Sequence, residues 1–510
     1  MNLVTDPWIP VITDDGTPEV VGLSDLFNRA DRIQDLSAHP PRRVALMRLL
    51  ICVAQAALDG PEDLEDWYYC RDRIPEAAQR YLDHWRPAFD LHGRTPFMQV
   101  PDLKVDDGHD RPLDGLDPRL ASGNNATLFD QGASPAGRWF NEGETALNLL
   151  TALNFSAGGK VGQAKWAGVK YSDSTFAAPC IKNAHTFILG RNLLETVHLN
   201  LLSKADDTNG INLLPNLIWG RPVWERFPKS AGDTDAFTNA AATYLGRLVP
   251  LSRLVRLGDP TAARPRCIFG PTPKAFVIEH LPAFREPWLT VITDKTGNDR
   301  YLPLSSDRHI WRRLGAVLSL RRTVHGTGGA LPLAALGFRY GHFPETTVDI
   351  WVGGLETGAQ AGKISDMLEW RFQFPVAQLR ESRLEKYGAG VALADRAEQQ
   401  LKAAVKTYFT TLRVPPRAIP TGPARRAYWE ALDRQYGVLV EAANDPMAPL
   451  SRRWYPVVRE AMESAYAAAC PHVSPRQIQA FARGRAELRL KKPDAPAPAP
   501  SQPDTLEESP

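Results

Sequence analysis

From Leu393 to Leu488 apolar residues recur at intervals of three and four, in four runs separated by proline. This periodicity constrains the chain more than any other feature it carries. Leu393, Ala397, Leu401, Val405, Tyr408 and Leu412 fall on one face of a helix. Pro415-Pro416 stops that helix. Tyr428, Leu432, Tyr436, Leu439 and Ala443 form a second stripe, ended near Asn444-Asp445-Pro446. Trp454, Val458, Ala461, Ala465 and Ala468 form a third, ended by Pro471, with Pro456 placed to kink its start. The fourth opens Ser474-Pro475-Arg476-Gln477, where serine caps, proline takes the first helical position and glutamine can close a capping box. Ile478, Phe481 and Leu488 continue its face. Four amphipathic helices with short connections predict an antiparallel four-helix bundle over residues 371–492. Beyond it, residues 493–510 alternate alanine and proline and then turn polar and acidic. Such a composition cannot bury a core, so a disordered tail is expected.

Residues 1–370 read differently. Strand-like runs at Trp8–Ile12, Lys274–Ile278, Trp288–Thr293 and Thr347–Val352 are interspersed with amphipathic stretches at Val44–Leu58 and Glu144–Asn154. Their order lacks the regular β-α alternation of a doubly wound sheet. The expected class is α+β: an irregular mixed α/β N-terminal domain followed by the C-terminal four-helix bundle. A chain of 510 residues is in any case too long for one core.

Charge is unevenly spread. Residues 376–492 carry a net charge of about +9, residues 1–375 about −3, and the tail about −4. A basic C-terminal third attracts a polyanion such as nucleic acid, although an arginine-rich solvated surface has the same composition. Cys52, Cys70, Cys180, Cys267 and Cys470 make no CxxC pair, which argues against zinc or a disulfide framework and suits a reducing cytoplasm. The opening residues do not resemble a signal peptide. The apolar run Leu46–Leu58, interrupted by Arg48, is too short to span a bilayer and reads as a buried helix.

Motifs for catalysis are missing. No Walker loop, G-x-S-x-G elbow or H-E-x-x-H occurs, and Gly158-Gly159-Lys160 lacks Walker spacing. His109-Asp110 is the one dipeptide like a nuclease metal motif, but it sits in a Gly/Asp-rich stretch without further ligands. His185 and His198 read as surface or satisfied core residues. The expectation is a protein that is not an enzyme, with no cofactor and no metal.

The opening Asn2-Leu3…Asp6…Trp8-Ile9-Pro10-Val11, the helix Val44–Leu58, then Pro96-Phe97-Met98-Gln99, and later Gly353-Gly354 after an aliphatic strand occur in an order and spacing that resemble the CasA family. CasA is the large subunit of the type I-E CRISPR Cascade complex. The resemblance covers nearly the whole chain. It implies a non-catalytic subunit of an RNA-guided antiviral surveillance complex, working with a guide RNA ribonucleoprotein and the other Cascade subunits. The family's task is to recognise the protospacer-adjacent motif of duplex DNA through the minor groove. It also helps open the duplex for guide pairing and helps recruit the nuclease-helicase. Base pairing reads the target; the protein reads the short flanking element.

Four places carry over residue by residue. Leu128-Phe129-Asp130-Gln131 aligns with the family's first DNA-facing loop, and Asn124-Asn125 and Gly132 around it are turn formers. There an apolar tip can wedge or stack, or else anchor the loop to the core; Asp130 departs from the amide expected, and a carboxylate is repelled by phosphate. Asn154 to Ser172, with Gly158, Gly159, Lys160, Lys165 and Lys170, resembles the family's glycine-rich, groove-facing loop. Lys274 matches a groove-directed lysine. Gln360 resembles the residue that wedges under the first opened base pair, on a hairpin for which Gly353, Gly354 and Gly358 suit a tight turn. Two other readings stay open on the residues alone: a nucleic-acid enzyme with an unrecognised carboxylate site, and a structural scaffold whose basic bundle binds guide RNA or protein.

Overall fold

The computed structural model describes the chain apart from residues 106–109, 121–137, 273–285, 340–345, 359–363 and 494–510, and shorter stretches at 176, 182, 205–206, 209–210, 213–217, 231, 294–295, 319–321, 324–325, 328 and 446. It divides into two compact units, Met1–Val376 and Ala377–Pro510.

The first unit starts with an antiparallel sheet in which β1 (Ile9–Thr13) lies between β2 (Pro18–Val21) and β3 (Ile33–Leu36). Ile9 and Val11 point into the core while the residues between them are half-buried, the two-residue period of a strand with one face covered. The turn before β1 is pinned by its own side chains. Asp6 accepts from the Asn2 N–H at 2.8 Å, Asn2 Oδ1 accepts from the Val4 N–H at 3.1 Å, and Trp8 Nε1 donates to the Leu3 carbonyl at 2.9 Å.

Helix α1 (Pro40–Leu58) starts with two prolines, at positions whose N–H groups have no helical partner anyway. Its middle is buried on every side, so it is a core helix and not an amphipathic one. Among the described residues no helix is long and apolar enough to cross a membrane. The polar side chains inside α1 are matched individually. Gln55 Nε2 donates to the Leu202 carbonyl at 2.7 Å. Arg48, wholly buried, donates to the Leu248 carbonyl at 3.0 Å and to Glu286 Oε2 at 2.8 Å. Arg247 takes the other carboxylate oxygen of Glu286 at 2.7 Å.

Helix α2 (Glu142–Phe155), capped by Asn141 accepting from the Glu144 N–H at 2.7 Å, packs on α1. The chain then forms β4 (Gly159–Trp166) and β5 (Val169–Thr175), β6 (His185–Leu189), β7 (Leu254–Leu257) and β8 (Arg266–Gly270). Two long strands, β9 (Thr347–Thr357) and β10 (Ile364–Pro375), close the unit. β4 pairs with β5, β7 with β8, and β9 lies between β6 and β10; every pairing is antiparallel. This is the mixed α/β architecture expected. Of the strand-like run Trp288–Thr293, only Val291–Thr293 is a strand; the run Lys274–Ile278 lies outside the described residues.

Gly353 and Gly354 correct an expectation. They lie buried within β9, not in the hairpin turn. A Cβ on Gly353 would sit 2.6 Å from the Trp351 ring, and one on Gly354 2.7 Å from the Asn183 carbonyl. The pair clears space for an indole and for a neighbouring backbone.

The described residues of the second unit hold five α-helices where the periodicity implies four: α3 (Glu381–Thr411), α4 (Thr421–Asp433), α5 (Tyr436–Asn444), α6 (Leu450–Ala469) and α7 (Pro475–Arg485). The second stripe is split at Arg434-Gln435, where Gln435 leaves helical geometry at φ −125°, ψ 8°. The break keeps the three-and-four spacing of the apolar residues, so periodicity does not register it. Helix α3 ends in a Schellman cap: Arg413 adopts φ 63° and the Val414 N–H reaches back to the Phe409 carbonyl at 2.9 Å. Pro456 stands inside α6, and α7 has the full Ser474/Gln477 capping box. The tail lies outside the described residues.

Burial pushes the Glu286 carboxyl up, but Arg48 and Arg247 outweigh it and hold it below the ordinary carboxylate value. A depressed folded value means that the stabilisation is complete above the unfolded value of about 4.3 and is lost as pH falls through the folded one. Glu286→Gln strands two buried cations and is expected to destabilise the chain by about 3–5 kcal/mol at pH 7. Urea denaturation of the full chain at pH 7 and pH 4 checks this, with a smaller difference between variant and parent at the lower pH.

Candidate nucleic-acid interface

Residues Leu128, Phe129, Asp130, Gln131, Lys274 and Gln360 lie outside the described residues, as does the side chain of Lys160. The glycine-rich segment and the anchors of the other three places are described.

The segment from Asn154 to Ser172, expected as a loop, is the end of α2 followed by a β-hairpin. Its two-residue turn is Ala167-Gly168, both at positive φ (49° and 79°), the type I′ pattern that matches the twist of paired strands. Val161, Ala164 and Trp166 face the core, whereas Gln163 and Lys165 face outward. Trp166 packs edge-on against Phe237 at 6.2 Å between ring centres. Gly270 of β8 lies so close that a Cβ there would stand 2.6 Å from that of Ala164. At the tip, Lys165 pairs directly with Lys170, and both are exposed.

The base of the hairpin is held by Arg253, which sequence reading did not single out. Buried within the run Leu251–Val255, it donates to the Ala157 carbonyl at 2.5 Å and to Thr175 Oγ1 at 3.1 Å, joining the two ends of the hairpin. Burial pushes its guanidinium down to about 9, so it stays charged at neutral pH. The available signal was an arginine inside an apolar run, the same pattern as Arg48.

Gly159 is exposed at φ 123°, with nothing within 4 Å of where a Cβ would stand, and Gly158 beside it is half-buried. Gly159 lies opposite Thr175 in the ladder, and Thr175 Oγ1 is 3.3 Å from Thr272 Oγ1. Lys274 follows Thr272 by two residues, at most about 7 Å of extended chain. Thr272 thus stands beside the base of the hairpin, and the described chain stops one residue before the segment that contains Lys274.

The segment 121–137, which contains residues 128–131, leaves and re-enters at one turn. The Leu120 N–H bonds the Asp117 carbonyl at 3.1 Å, and the Arg138 N–H bonds Asp114 Oδ1 at 2.7 Å. Asp117 is buried; burial pushes its carboxyl up, but Arg119, forked onto it at 2.6 and 3.0 Å, and then Arg42 bring it below its usual value. Gln360 belongs to residues 358–363, which join β9 to β10 beyond the last pair, Thr357↔Ile364.

Asp110 pairs with Arg266 at 2.9 Å, and among the described residues no group of three His, Cys, Asp or Glu could hold a metal ion. His185 and His198 are core residues, their Nε2 atoms 2.9 Å from the Cys180 carbonyl and 2.7 Å from the Trp67 carbonyl. The five cysteines are buried and form no disulfide with one another.

The sequence profile of the family described as CRISPR-associated protein Cse1 matches residues 2–465. A CRISPR-associated protein CasA/Cse1 of Thermus thermophilus is 32% identical over 324 residues, 62% of this chain, and the match spans 60% of that relative's length. The solved structure of Thermus thermophilus CasA (Cse1) superposes with a TM-score of 0.74 at 25% identity, covering 96% of this chain and 98% of that one. A chain of a CRISPR RNA-guided surveillance complex shares the fold, with a TM-score of 0.74 at 18% identity and 96% and 99% coverage. With its profile matched over nearly its whole length, the chain belongs to the CasA/Cse1 family, the large-subunit family of the type I-E CRISPR Cascade complex.

Proposed function

We propose that this chain is the non-catalytic large subunit that inspects duplex DNA for an RNA-guided surveillance complex. In this reading it probes the protospacer-adjacent motif from the minor groove, helps open the adjoining duplex and helps recruit the nuclease-helicase. The observation that carries the reading is Gly159, exposed at positive φ with open space around it, at the base of a hairpin with two exposed lysines at its tip. A backbone without a Cβ can approach a groove closely, and a lysine beside it neutralises phosphate. The minor groove offers a degenerate pattern, so tolerance of several related motifs follows. Leu128 and Phe129, on a segment whose two flanks are bonded to one turn, supply the apolar wedge, and Gln360, between two long paired strands, replaces lost stacking at the first opened step. Opening one step costs on the order of 1–2 kcal/mol, within reach of a wedge and a few phosphate contacts.

In the assembled complex, Lys274→Ala is expected to weaken capture of duplex targets and to lower the slope of log affinity against log salt by about one unit. Gly159→Asp weakens capture through bulk and like charge, and Gly159→Ala isolates the cost of a side chain at positive φ. Salt titrations of the three variants check this; unchanged affinity and slope in all of them would remove the hairpin base from the interface. Gln360→Ala should slow R-loop formation on linear duplex while sparing initial capture, and a pre-opened bubble beside the motif should restore the rate. R-loop rates on duplex and bubbled targets, measured side by side, decide it: an equal defect on both contradicts the wedge.

A further inference from the structure

The first unit holds a cleft of about 380 Å³ between the start of α2 and the connection from β7 to β8. None of the places read as DNA-facing contributes to it. Its walls are fixed by the chain's own bonds. Asn141 caps α2, and Thr145 Oγ1 donates to the Asn141 carbonyl at 2.9 Å. Across the cleft the Gly258 N–H bonds the Arg266 carbonyl at 2.7 Å, and Asp259 accepts from the Thr261 N–H and hydroxyl at 2.8 and 2.6 Å. An aspartate turn of this kind ties the connection to itself. The volume falls in the range of small-molecule pockets, about 300–1,000 Å³.

The groups lining the cleft retain bonding capacity of both signs beside an aromatic face. Trp139 is 70% exposed, and among the described residues it has neither a ring nor a hydrogen-bond partner. Glu142 uses one oxygen: Oε1 lies 3.2 Å from His92 Nε2 and 3.7 Å from the Met1 amino nitrogen, while Oε2 has no partner among the described residues. Burial holds the His92 imidazole below its ordinary value, so at neutral pH it meets Glu142 uncharged. Asn141 commits Oδ1 to the cap and keeps its Nδ2 donor. Arg266 commits Nε and Nη2 to the Asp110 side chain and carbonyl and keeps Nη1. A ligand that satisfies this set needs a planar ring for the indole, a donor edge for the carboxylate and an acceptor edge for the amide and guanidinium. Guanine has all three. Its ring stacks on an indole, its N1–H and N2–H donors stand side by side as one carboxylate requires, and its O6 and N7 accept. Adenine sets its N1 lone pair where guanine has the first of those donors, and a pyrimidine has the smaller ring to stack. We propose that the cleft is a binding site for a guanine base, presented either by an unpaired nucleotide of a strand or by a free guanine nucleotide. The inference does not depend on how the β4–β5 hairpin meets DNA.

The test measures binding of the full chain to a labelled oligothymidylate of about eight nucleotides with one central guanine, beside the same strand with adenine there and the all-thymine strand. Salt of about 300 mM screens phosphate-driven binding elsewhere on the chain, and what remains of it is common to strands that differ in one base. Fluorescence anisotropy should give the guanine strand an affinity about tenfold above the other two. Trp139→Ala should lower that affinity about tenfold, and Trp139→Phe should restore most of it. Glu142→Gln should bring guanine and adenine strands to equal affinity, with a thermal unfolding midpoint like the parent's showing that the variant is folded. Displacement of the guanine strand by guanosine monophosphate, and not by adenosine monophosphate, shows that the isolated nucleotide suffices. Displacement by unlabelled guanine strand alone assigns a base held in a strand. Equal affinity of the parent for all three strands would overturn the proposal and leave the cleft to a side chain of a protein partner. A guanine preference that survives both Trp139→Ala and Glu142→Gln would overturn it as well.

Discussion

The first unit is organised around one buried carboxylate. Glu286 receives Arg48 from the core helix and Arg247 from the segment that precedes β7, so three residues far apart in sequence meet in one buried cluster. Two cations against one anion leave a positive excess. Backbone carbonyls take it up: Leu248 accepts from Arg48, and Ala241 accepts from Arg247 at 2.8 Å. Desolvating three charges is costly, and an apolar replacement of equal volume can be as stable, so the cluster is better understood as fixing position than as adding stability. What it fixes is the start of the path from Leu248 to Leu257. Ser252 on that path donates to the Leu153 carbonyl at 2.6 Å, and Arg253 then clamps the base of the β4–β5 hairpin. The candidate interface therefore takes its placement from an interaction that never reaches the surface.

Legibility in the sequence followed how directly each feature is set by periodicity. The helices of the second unit could be read because a half-buried helix must repeat its apolar residues every three or four positions, and α7 in addition has every element of a capping box. The break at Gln435 escaped because it preserves the spacing. The β4–β5 hairpin was read as a loop for a different reason. Its strands contain two glycines and three lysines, residues with poor strand propensity, and its type I′ turn is Ala-Gly and not the usual Asn-Gly. Tertiary support from Trp166 against Phe237 and from Gly270 under Ala164 overrides that local preference. Gly353-Gly354 misled in the opposite direction, since a glycine pair at a turn and one inside a strand beside an indole look the same in one dimension.

The residues that made the family resemblance visible are largely structural. Asn2, Asp6 and Trp8 close the first turn, and Gln99 donates to the Leu91 carbonyl and accepts from the Leu257 N–H, both at 2.8 Å. A buried amide that satisfies two backbone groups tolerates few replacements, because substitution leaves a polar group without water or a partner. Surface residues that meet nucleic acid face no such demand from the fold. Motif order along the chain thus reports the architecture well, while a groove-facing lysine or glutamine is carried over only through its place between structural markers.

The hairpin tip combines a non-glycine residue at positive φ with a facing pair of lysines. Ala167 is held at φ 49°, where an L-residue loses roughly 1 kcal/mol relative to its right-handed conformation. One step back, Lys165 and Lys170 stand directly opposite each other. Both sit on the exposed end of an element whose base is fixed by Arg253, so neither can relax by shifting the whole hairpin. Two cations at strand-pair spacing can contact neighbouring phosphates of one nucleic-acid chain. Strain kept at the tip of a rigidly based element is easier to reconcile with a surface that meets a polyanion than with a hairpin serving only to complete the fold.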